Sequence, residues 1–490
     1  MRAPRRRMLA LLLGGPAALT LALPASAQAH GIVGKADLPI PVWLFSWTAA
    51  IVLVVSFVAL STLWRTPQLQ SEHRRAVAPG TEPRAAAGRR SRAAPVLDAL
   101  GGVVGVALFA LVLYSGFDGA QVPNANFSVT FIYVIFWVGL PVLSVLFGDV
   151  FASLSPWRTC ARVCAAALRA AGVRRSGGEG PLRYPSRLGV WPAIFGIVGF
   201  AWLELVYVNR DEPSLLAALS LGYFAVTLGG MLLFGVEQWG SSADGFGVYL
   251  NLLSRLSPLV RDEHGFLCWR RPLSGVTGVT MPSGMVTLIC AVIGTTTFDG
   301  FSNGGIWRKA EPHVQSVFAD LGLGATPAQE LAYSIGLVAC IALIVAVYRL
   351  GILGVRSVGD RYDVGQLTRA FAHTLVPIGF AYVLAHYFSL LLWQGQAIGY
   401  LASDPLGDGS NLFGTGGYQI DYQVISYAAI WYVQVAALIL GHVSGLALAH
   451  DRALTMYEEP EEAVRSQYWM LAVMVAFTSF GLWLLSDVGT

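Results

Sequence analysis

Hydrophobic residues occur along this chain in long runs that polar and Arg-rich segments separate. Ten such runs follow the first 40 residues, and each is near the roughly 20 residues that a helix needs to cross a bilayer core. The predicted spans are 41–64, 96–116, 127–148, 190–209, 214–236, 276–298, 331–349, 368–395, 424–449 and 467–486. The pattern predicts an all-α, polytopic membrane bundle of ten helices, with residues 30–490 forming a single domain.

The basic residues predict the orientation of this bundle. With the mature N-terminus outside, the five cytoplasmic segments hold 24 of the 32 Lys and Arg residues, and the first 29 residues hold four. The extracytoplasmic segments hold the other four, which are Lys35, Arg210, Arg308 and Lys309. The positive-inside rule therefore predicts that both termini of the mature chain are extracytoplasmic, and that the Arg-rich loops 65–95 and 149–189 are cytoplasmic. Those loops are expected to be solvated or to anchor at the membrane, and not to bind nucleic acid.

The first 29 residues have the features of a secretory signal peptide. Four arginines precede the apolar run Met8–Leu23, and Ala27-Gln28-Ala29 forms an A-x-A cleavage site. Cleavage there would make His30 the mature N-terminus, whose α-amine and ring nitrogen can together bind one copper ion. An uncleaved membrane anchor is the alternative interpretation.

Composition excludes a soluble enzyme with a single anchor, because 55% of the residues are hydrophobic and only 12% are charged. The chain is therefore expected in the cytoplasmic membrane, with the lipid bilayer as its surroundings. No G-x-S-x-G elbow, P-loop, Rossmann fingerprint or C-x-x-C-H haem attachment is present. Function must therefore be sought among the polar residues inside the spans.

Glu204 and His386 are ionisable residues predicted in the outer half of the membrane, and Asp299 is predicted at the outer surface. Ionisable side chains in hydrocarbon are costly and usually functional. A carboxylate and an imidazole can bind a divalent metal and activate water, or they can relay protons. No H-x-x-x-H or H-E-x-x-H spacing fixes such ligands. The alternative is a Glu–His or His–Gln hydrogen bond, with Gln434 as the amide, that holds helices together.

His373, His442 and His450 are predicted near the inner edge of the membrane. Histidines on paired helices can ligate haem or copper, and His373 and His442 are the candidates for such a cofactor. Against haem, His442 and His450 diverge by about 80° around their helix. For His450, contact with lipid headgroups is expected.

Six stretches of the sequence resemble a family of bacterial membrane proteins that commonly carry the name fenitrothion hydrolase. They are HGIVGKADLPIPVWLFSW, FGDVFASLSPWR, FAWLELVY, TTTFDGFS, AHTLVPIGFAYVLAHYFSLLLWQGQ and GHVSGLALAHDRA. The resemblance implies hydrolysis of an apolar organophosphorus triester with release of a nitrophenol. Such a reaction needs an activated water and an electrophile for the phosphoryl oxygen. Glu204 and His386, helped by Asp299 or His30, are the residues that can supply them.

Two other classes of function stay open. Ten spans with polar residues near the midplane and helices interrupted by Pro or Gly are also typical of a transporter. A copper- or haem-handling protein, such as an electron-transfer subunit, would use the intramembrane histidines as ligands. The cofactor that these residues can hold is accordingly a divalent metal, copper or haem.

The predicted topology can be measured with reporter fusions. Because the basic residues divide 24 to 4 between the two sides, a reporter fused after Thr490 should be active outside the cytoplasm. A reporter fused at Ala85 should be active inside it. The opposite activity at either position would contradict the ten-span arrangement.

Overall fold

The computed structural model describes most of the chain. The described residues are 42–70, 74–76, 91–172, 180–359 and 361–487. The predicted signal peptide, its cleavage site and His30 lie outside them.

The described residues form a helical bundle, as the hydrophobic pattern predicts. The helices are α1 Val42–Leu63, α2 Ala93–Asp118, α3 Phe127–Thr130, α4 Leu140–Phe147, α5 Val150–Leu154, α6 Pro156–Ala170, α7 Trp191–Leu205, α8 Pro213–Phe234, α9 Val236–Ser242, α10 Gly245–Ser254, α11 Ser274–Thr277, α12 Met285–Ser302, α13 Gly305–Asp320, α14 Ala325–Arg356, α15 Val364–Phe371, α16 Leu375–Trp393, α17 Ile398–Ser403, α18 Tyr427–Met456, α19 Pro460–Ser466 and α20 Tyr468–Asp487. A π-helical segment, Phe131–Gly139, joins α3 to α4. Short 3-10 helices cover Pro123–Ala125, Ser186–Leu188, Ala372–Thr374 and Gln394–Ala397.

A small antiparallel sheet is the other regular structure. Its strands are β1 Arg75–Ala76, β2 Leu259–Arg261 and β3 Leu267–Trp269, in the order β1-β3-β2. β3 is the central strand, with Cys268 opposite both Ala76 and Val260. The sheet therefore joins two segments that the basic residues predict to be cytoplasmic.

Nine continuous helical segments in the described part of the chain are long and apolar enough to cross a membrane. They correspond to nine of the ten predicted spans. The exception is predicted span 190–209, where α7 has only 15 residues and ends at Leu205. Its length of about 22 Å is less than the roughly 30 Å of a hydrocarbon core. The fourth predicted span is therefore a short helix followed by turns.

Helix α12 begins and ends later than the predicted span 276–298. It starts after Gly284, which has a φ of 90°, and continues to Ser302. The hydroxyls of Thr295, Thr296 and Thr297 donate to carbonyls three or four residues earlier, so this polar run is satisfied within a helix. Asp299 consequently lies in the buried last turns of α12, with 1% of its surface exposed. The predicted end of this span at residue 298 is therefore too early, and Asp299 is buried within the bundle instead of exposed in a loop.

Helices α16 and α18 form the most extensive helix–helix contact among the described elements. Gly441 and Gly445 on α18 permit this close approach. A Cβ atom at Gly441 would lie 2.2 Å from the Cβ of Ala381, and one at Gly445 would lie 2.9 Å from the carbonyl oxygen of Thr374. This is the small-xxx-small packing of membrane helices. It fixes the relative position of the polar residues on the two helices.

A buried aspartate joins the segment after α1 to α18. Asp451, with none of its surface exposed, accepts hydrogen bonds from Trp64 Nε1 at 3.1 Å and from Gln70 Nε2 at 2.7 Å. The backbone amides of Gln68 and Leu69 also donate to it, at 2.6 and 3.2 Å. These bonds satisfy a carboxylate that would be costly to bury alone. They hold the exit of α1 against α18.

The structure corrects the expected position of His450. Its side chain is 1% exposed and bonds to the residues that follow α1 and α19 instead of contacting headgroups. Nε2 lies 2.9 Å from the carbonyl oxygen of Trp64, and Nδ1 lies 3.3 Å from Nε2 of Gln467. Both ring nitrogens are thus used in packing.

Candidate functional site

Asp299, His386 and Tyr387 form a buried hydrogen-bonded cluster between α12 and α16. Nε2 of His386 lies 2.9 Å from Oδ2 of Asp299, and the hydroxyl of Tyr387 donates to the same oxygen at 2.7 Å. The two side chains of the salt bridge are 6% and 2% exposed. Hydrogen bonds to a carboxylate are among the strongest in proteins. This Asp–His–Tyr cluster is the main polar link between the two helices.

Asn303 fixes the backbone on the other side of Asp299. Its side-chain amide donates to the carbonyl oxygen of Asp299 at 2.8 Å and approaches Oδ1 at 3.4 Å. Asn303 is the residue that follows the last turn of α12, so the amide binds one of the carbonyls that a helix end leaves without a partner. The position of Asp299 near a helix end is therefore stabilised from within its own element.

Glu204 lies beside this cluster without joining it directly. It is in the last turn of α7, is 8% exposed, and is close enough to Asp299 and Tyr387 to interact electrostatically with both. Two carboxyl groups and an imidazole are thereby gathered where three helices meet. Each of them can bind or release a proton, so the group can store protons in a region with little water.

Trp137, on the π-helical segment, completes the surroundings of Glu204 and Tyr387. Its indole Nε1 is buried and lies near both side chains. An indole is a hydrogen-bond donor only, so Trp137 places a donor next to the carboxyl group of Glu204. π-helical turns are rare and often occur at functional sites.

The structure brings together some of the residues that the sequence analysis nominated for this site. Glu204 and His386 do lie in one region, but it is Asp299, and not Glu204, that bonds directly to His386. Tyr387 and Trp137 were not predicted. Tyr387 is adjacent in sequence to a predicted site residue, which is a usable signal, whereas Trp137 has no distinguishing feature in its apolar span.

A small cavity adjoins His386. Residues from α12, α16, α18 and α20 line it, among them Thr296, Tyr382 and Leu438. The cavity has a volume of about 10 Å³, counted as the space available to the centre of a water molecule, and this is enough for one water molecule. A triester substrate would require the helices to move apart.

The residues predicted to bind a cofactor or metal are not gathered into one site. His373 is buried in the 3-10 segment before α16, near Arg452, and His442 is buried on α18. Across residues 42–487, wherever the structure describes them, no three His, Cys, Asp or Glu side chains are placed to hold a metal ion. A metal site that combines Glu204 and His386 with His30 stays a prediction, because His30 lies outside the described residues.

Fold and site together define a multi-pass helical membrane protein with a buried carboxylate–imidazole–phenol cluster between its spans. Comparison with protein-family models, with curated proteins and with solved structures gives no match to this chain. The resemblance to the fenitrothion hydrolases therefore stays a prediction, and function must be argued from the geometry of the cluster.

The direct bond between Asp299 and His386 can be tested by a double-mutant cycle. We expect Asp299→Ala and His386→Ala to be non-additive in their effect on stability, with a coupling of about 0.5–3 kcal/mol. Unfolding of the purified protein in mixed detergent measures it.

The matched control for this cycle pairs Asp299→Ala with His442→Ala. His442 is equally buried, but it bonds to a different group, the carbonyl oxygen of Leu438. These two substitutions should be additive. Additivity in the first pair would contradict the hydrogen bond between Asp299 and His386.

Proposed function

We propose that this chain is a proton-coupled transporter of the cytoplasmic membrane, with both mature termini outside the cytoplasm. This orientation requires an even number of crossings, so the short helix α7 and the turns after it would complete the fourth one. The observation that supports the proposal is the bond between Asp299 and His386, buried between apolar helices with Glu204 beside it. Carboxylates and histidines inside membrane spans are typical of proton relays in pumps and transporters.

The cluster is suited to sense protons because its charge determines how it holds the helices. When Asp299 is ionised it accepts from both His386 and Tyr387. A proton added to the carboxyl group removes the charge that strengthens both bonds. A proton added to Nδ1 of His386 has the opposite effect, because an imidazolium bonds more strongly to a carboxylate than a neutral imidazole does. The strength of the link between α12 and α16 therefore depends on how many protons the cluster holds and on which group holds them.

The span that carries His386 is interrupted at both ends. The continuous helical segment Val364–Ser403 contains 3-10 turns at Ala372–Thr374 and Gln394–Ala397, on either side of α16. Discontinuous helices near a binding site are a recurring feature of transporters. The two 3-10 turns are positions at which α16 can tilt when its bonds to Asp299 change.

Infrared difference spectroscopy of the reconstituted protein tests proton exchange without a known solute. Between about pH 5 and 8, where histidine changes charge, we expect protonation bands from buried carboxyl and imidazole groups. Asp299→Asn, Glu204→Gln and His386→Gln should each remove part of this signal. Asp451→Asn is the control, because Asp451 is equally buried but belongs to a different network. A signal unchanged in the three cluster variants would contradict the proposal.

Hydrolysis is the second candidate, and the water-sized cavity beside His386 favours it. An ionised carboxylate only accepts hydrogen bonds, so Nε2 of His386 donates to Asp299 and Nδ1 keeps its lone pair. That nitrogen can take a proton from a water molecule, as a general base does. The expected substrate class is the organophosphorus triester that the sequence resemblance implies.

Nitrophenol release from fenitrothion in detergent tests this second candidate. If His386 is the base, His386→Gln and Asp299→Asn should each lower the rate by about 10²–10⁴-fold, the usual contribution of a general base. His313→Ala, an exposed histidine on α13, should leave the rate unchanged. Release no faster than in buffer would contradict hydrolysis while leaving the infrared test of proton exchange unaffected.

A further inference from the structure

A second cavity lies between α14, α16, α18 and α20, and some of the side chains that line it can bind soft metal ions. The cavity has a volume of about 60 Å³, counted as the space available to the centre of a water molecule, and its lining is almost wholly apolar. His442, Met470 and Met474 line it, together with the ring of Phe477. This cavity is separate from the one beside His386.

The orientation of His442 determines which of its nitrogens can bind a ligand. Nδ1 lies 2.7 Å from the carbonyl oxygen of Leu438, one turn earlier on α18. A carbonyl only accepts, so Nδ1 carries the proton and Nε2 has a free lone pair. The side chain is 0% exposed, and Nε2 has no hydrogen-bond partner among the described residues. A metal-bound histidine typically donates its other ring nitrogen to a backbone carbonyl in this way.

Met470 and Met474 contribute the second part of the site. They are four residues apart on α20, so their side chains lie on one face of the helix. Each is 7% exposed, and both line the same cavity as His442. Thioether sulfur is a soft ligand that selects Cu(I). Two methionine side chains and one histidine side chain thus line the same cavity.

We propose that this cavity is a Cu(I) site formed by Nε2 of His442 and the Sδ atoms of Met470 and Met474. All three ligands are neutral, so a monovalent ion adds one charge to the apolar surroundings, which costs less than a divalent ion would. The lining contains no carboxylate or thiolate, the ligands that Zn²⁺ and hard cations prefer. The cavity is also far too small for a haem.

The proposed site revises the sequence-based hypothesis for His442. That hypothesis paired it with His373, whereas the cavity pairs it with two methionines of the last helix. Cu(I) binding here does not depend on proton exchange at Asp299, since no residue of the Asp–His–Tyr cluster lines this cavity. The two proposals can therefore fail separately.

Cu(I) competition under anaerobic, reducing conditions tests the site in the purified full-length chain. The protein should withdraw Cu(I) from its bicinchoninate complex, and X-ray absorption of the bound copper should show both nitrogen and sulfur ligands. Met470→Leu and Met474→Leu should each weaken the affinity by more than about 100-fold, since even loss of an outer-sphere partner costs roughly 10–100-fold. His442→Leu should do the same.

Met231→Leu is the matched control, because Met231 is buried on α8 and does not line the cavity. Met-to-Leu exchange nearly conserves volume and is well tolerated in cores, so the two methionine variants decide the question even if His442→Leu does not fold. Failure to withdraw Cu(I) would overturn the proposal. So would undiminished binding in the Met470→Leu/Met474→Leu double variant, which would place the copper elsewhere, for example at His30.

Discussion

The hydrogen bonds of Asp299 are the interaction on which the packing of α12 against α16 depends. A carboxylate buried among apolar helices is tolerated only when other groups satisfy it, and here His386 and Tyr387 do so from a neighbouring helix. Asp451 meets the same requirement elsewhere with four donors from the segment after α1. The two aspartates differ in one respect: the partners of Asp451 are amides and an indole, which do not titrate, whereas Asp299 is bonded to an imidazole. The proposed proton exchange would therefore change the bonds of Asp299 and leave those of Asp451 unchanged.

Helix α16 connects the sites. His386 and Tyr387 of this helix bond to Asp299 of α12. Tyr382 of the same helix lies near α18, with its ring centroid 6.0 Å from that of His442. Its close packing on Gly441 of α18 leaves little freedom for one helix to slide along the other. The proposed tilt of α16 would therefore also act on its contacts with α18, whereas no residue of the Asp–His–Tyr cluster lines the cavity that contains His442. The Asp–His–Tyr cluster and the proposed copper site thus share one mechanical element, although they share no ligand.

Hydropathy alone predicts the helical class and nearly all of the spans, because bilayer thickness sets a strong minimum length. It misplaces Asp299, since a run of threonines lowers hydropathy although the hydroxyls donate within the helix. It also misassigns His450, because depth along a span does not reveal which neighbour a side chain contacts. Met470 and Met474 are invisible to sequence reasoning for a simpler reason. A methionine in an apolar helix cannot be told apart from an ordinary core residue by sequence. Only the structure shows which other side chains line the same cavity.

The π-helical segment Phe131–Gly139 has a consequence for how the site around Glu204 is maintained. A π-turn accommodates one residue more than the α-helical turn it replaces. Losing one residue from this segment would replace a π-turn with an α-turn and change the directions in which the side chains of that turn point, while the helices on either side kept their relative orientation. Trp137 lies in this segment, so its position beside Glu204 would change, while the span remained just as apolar and almost as long. The exact number of residues in this segment therefore helps to determine the geometry around Glu204. A comparison of hydrophobicity alone would not detect the loss of one residue.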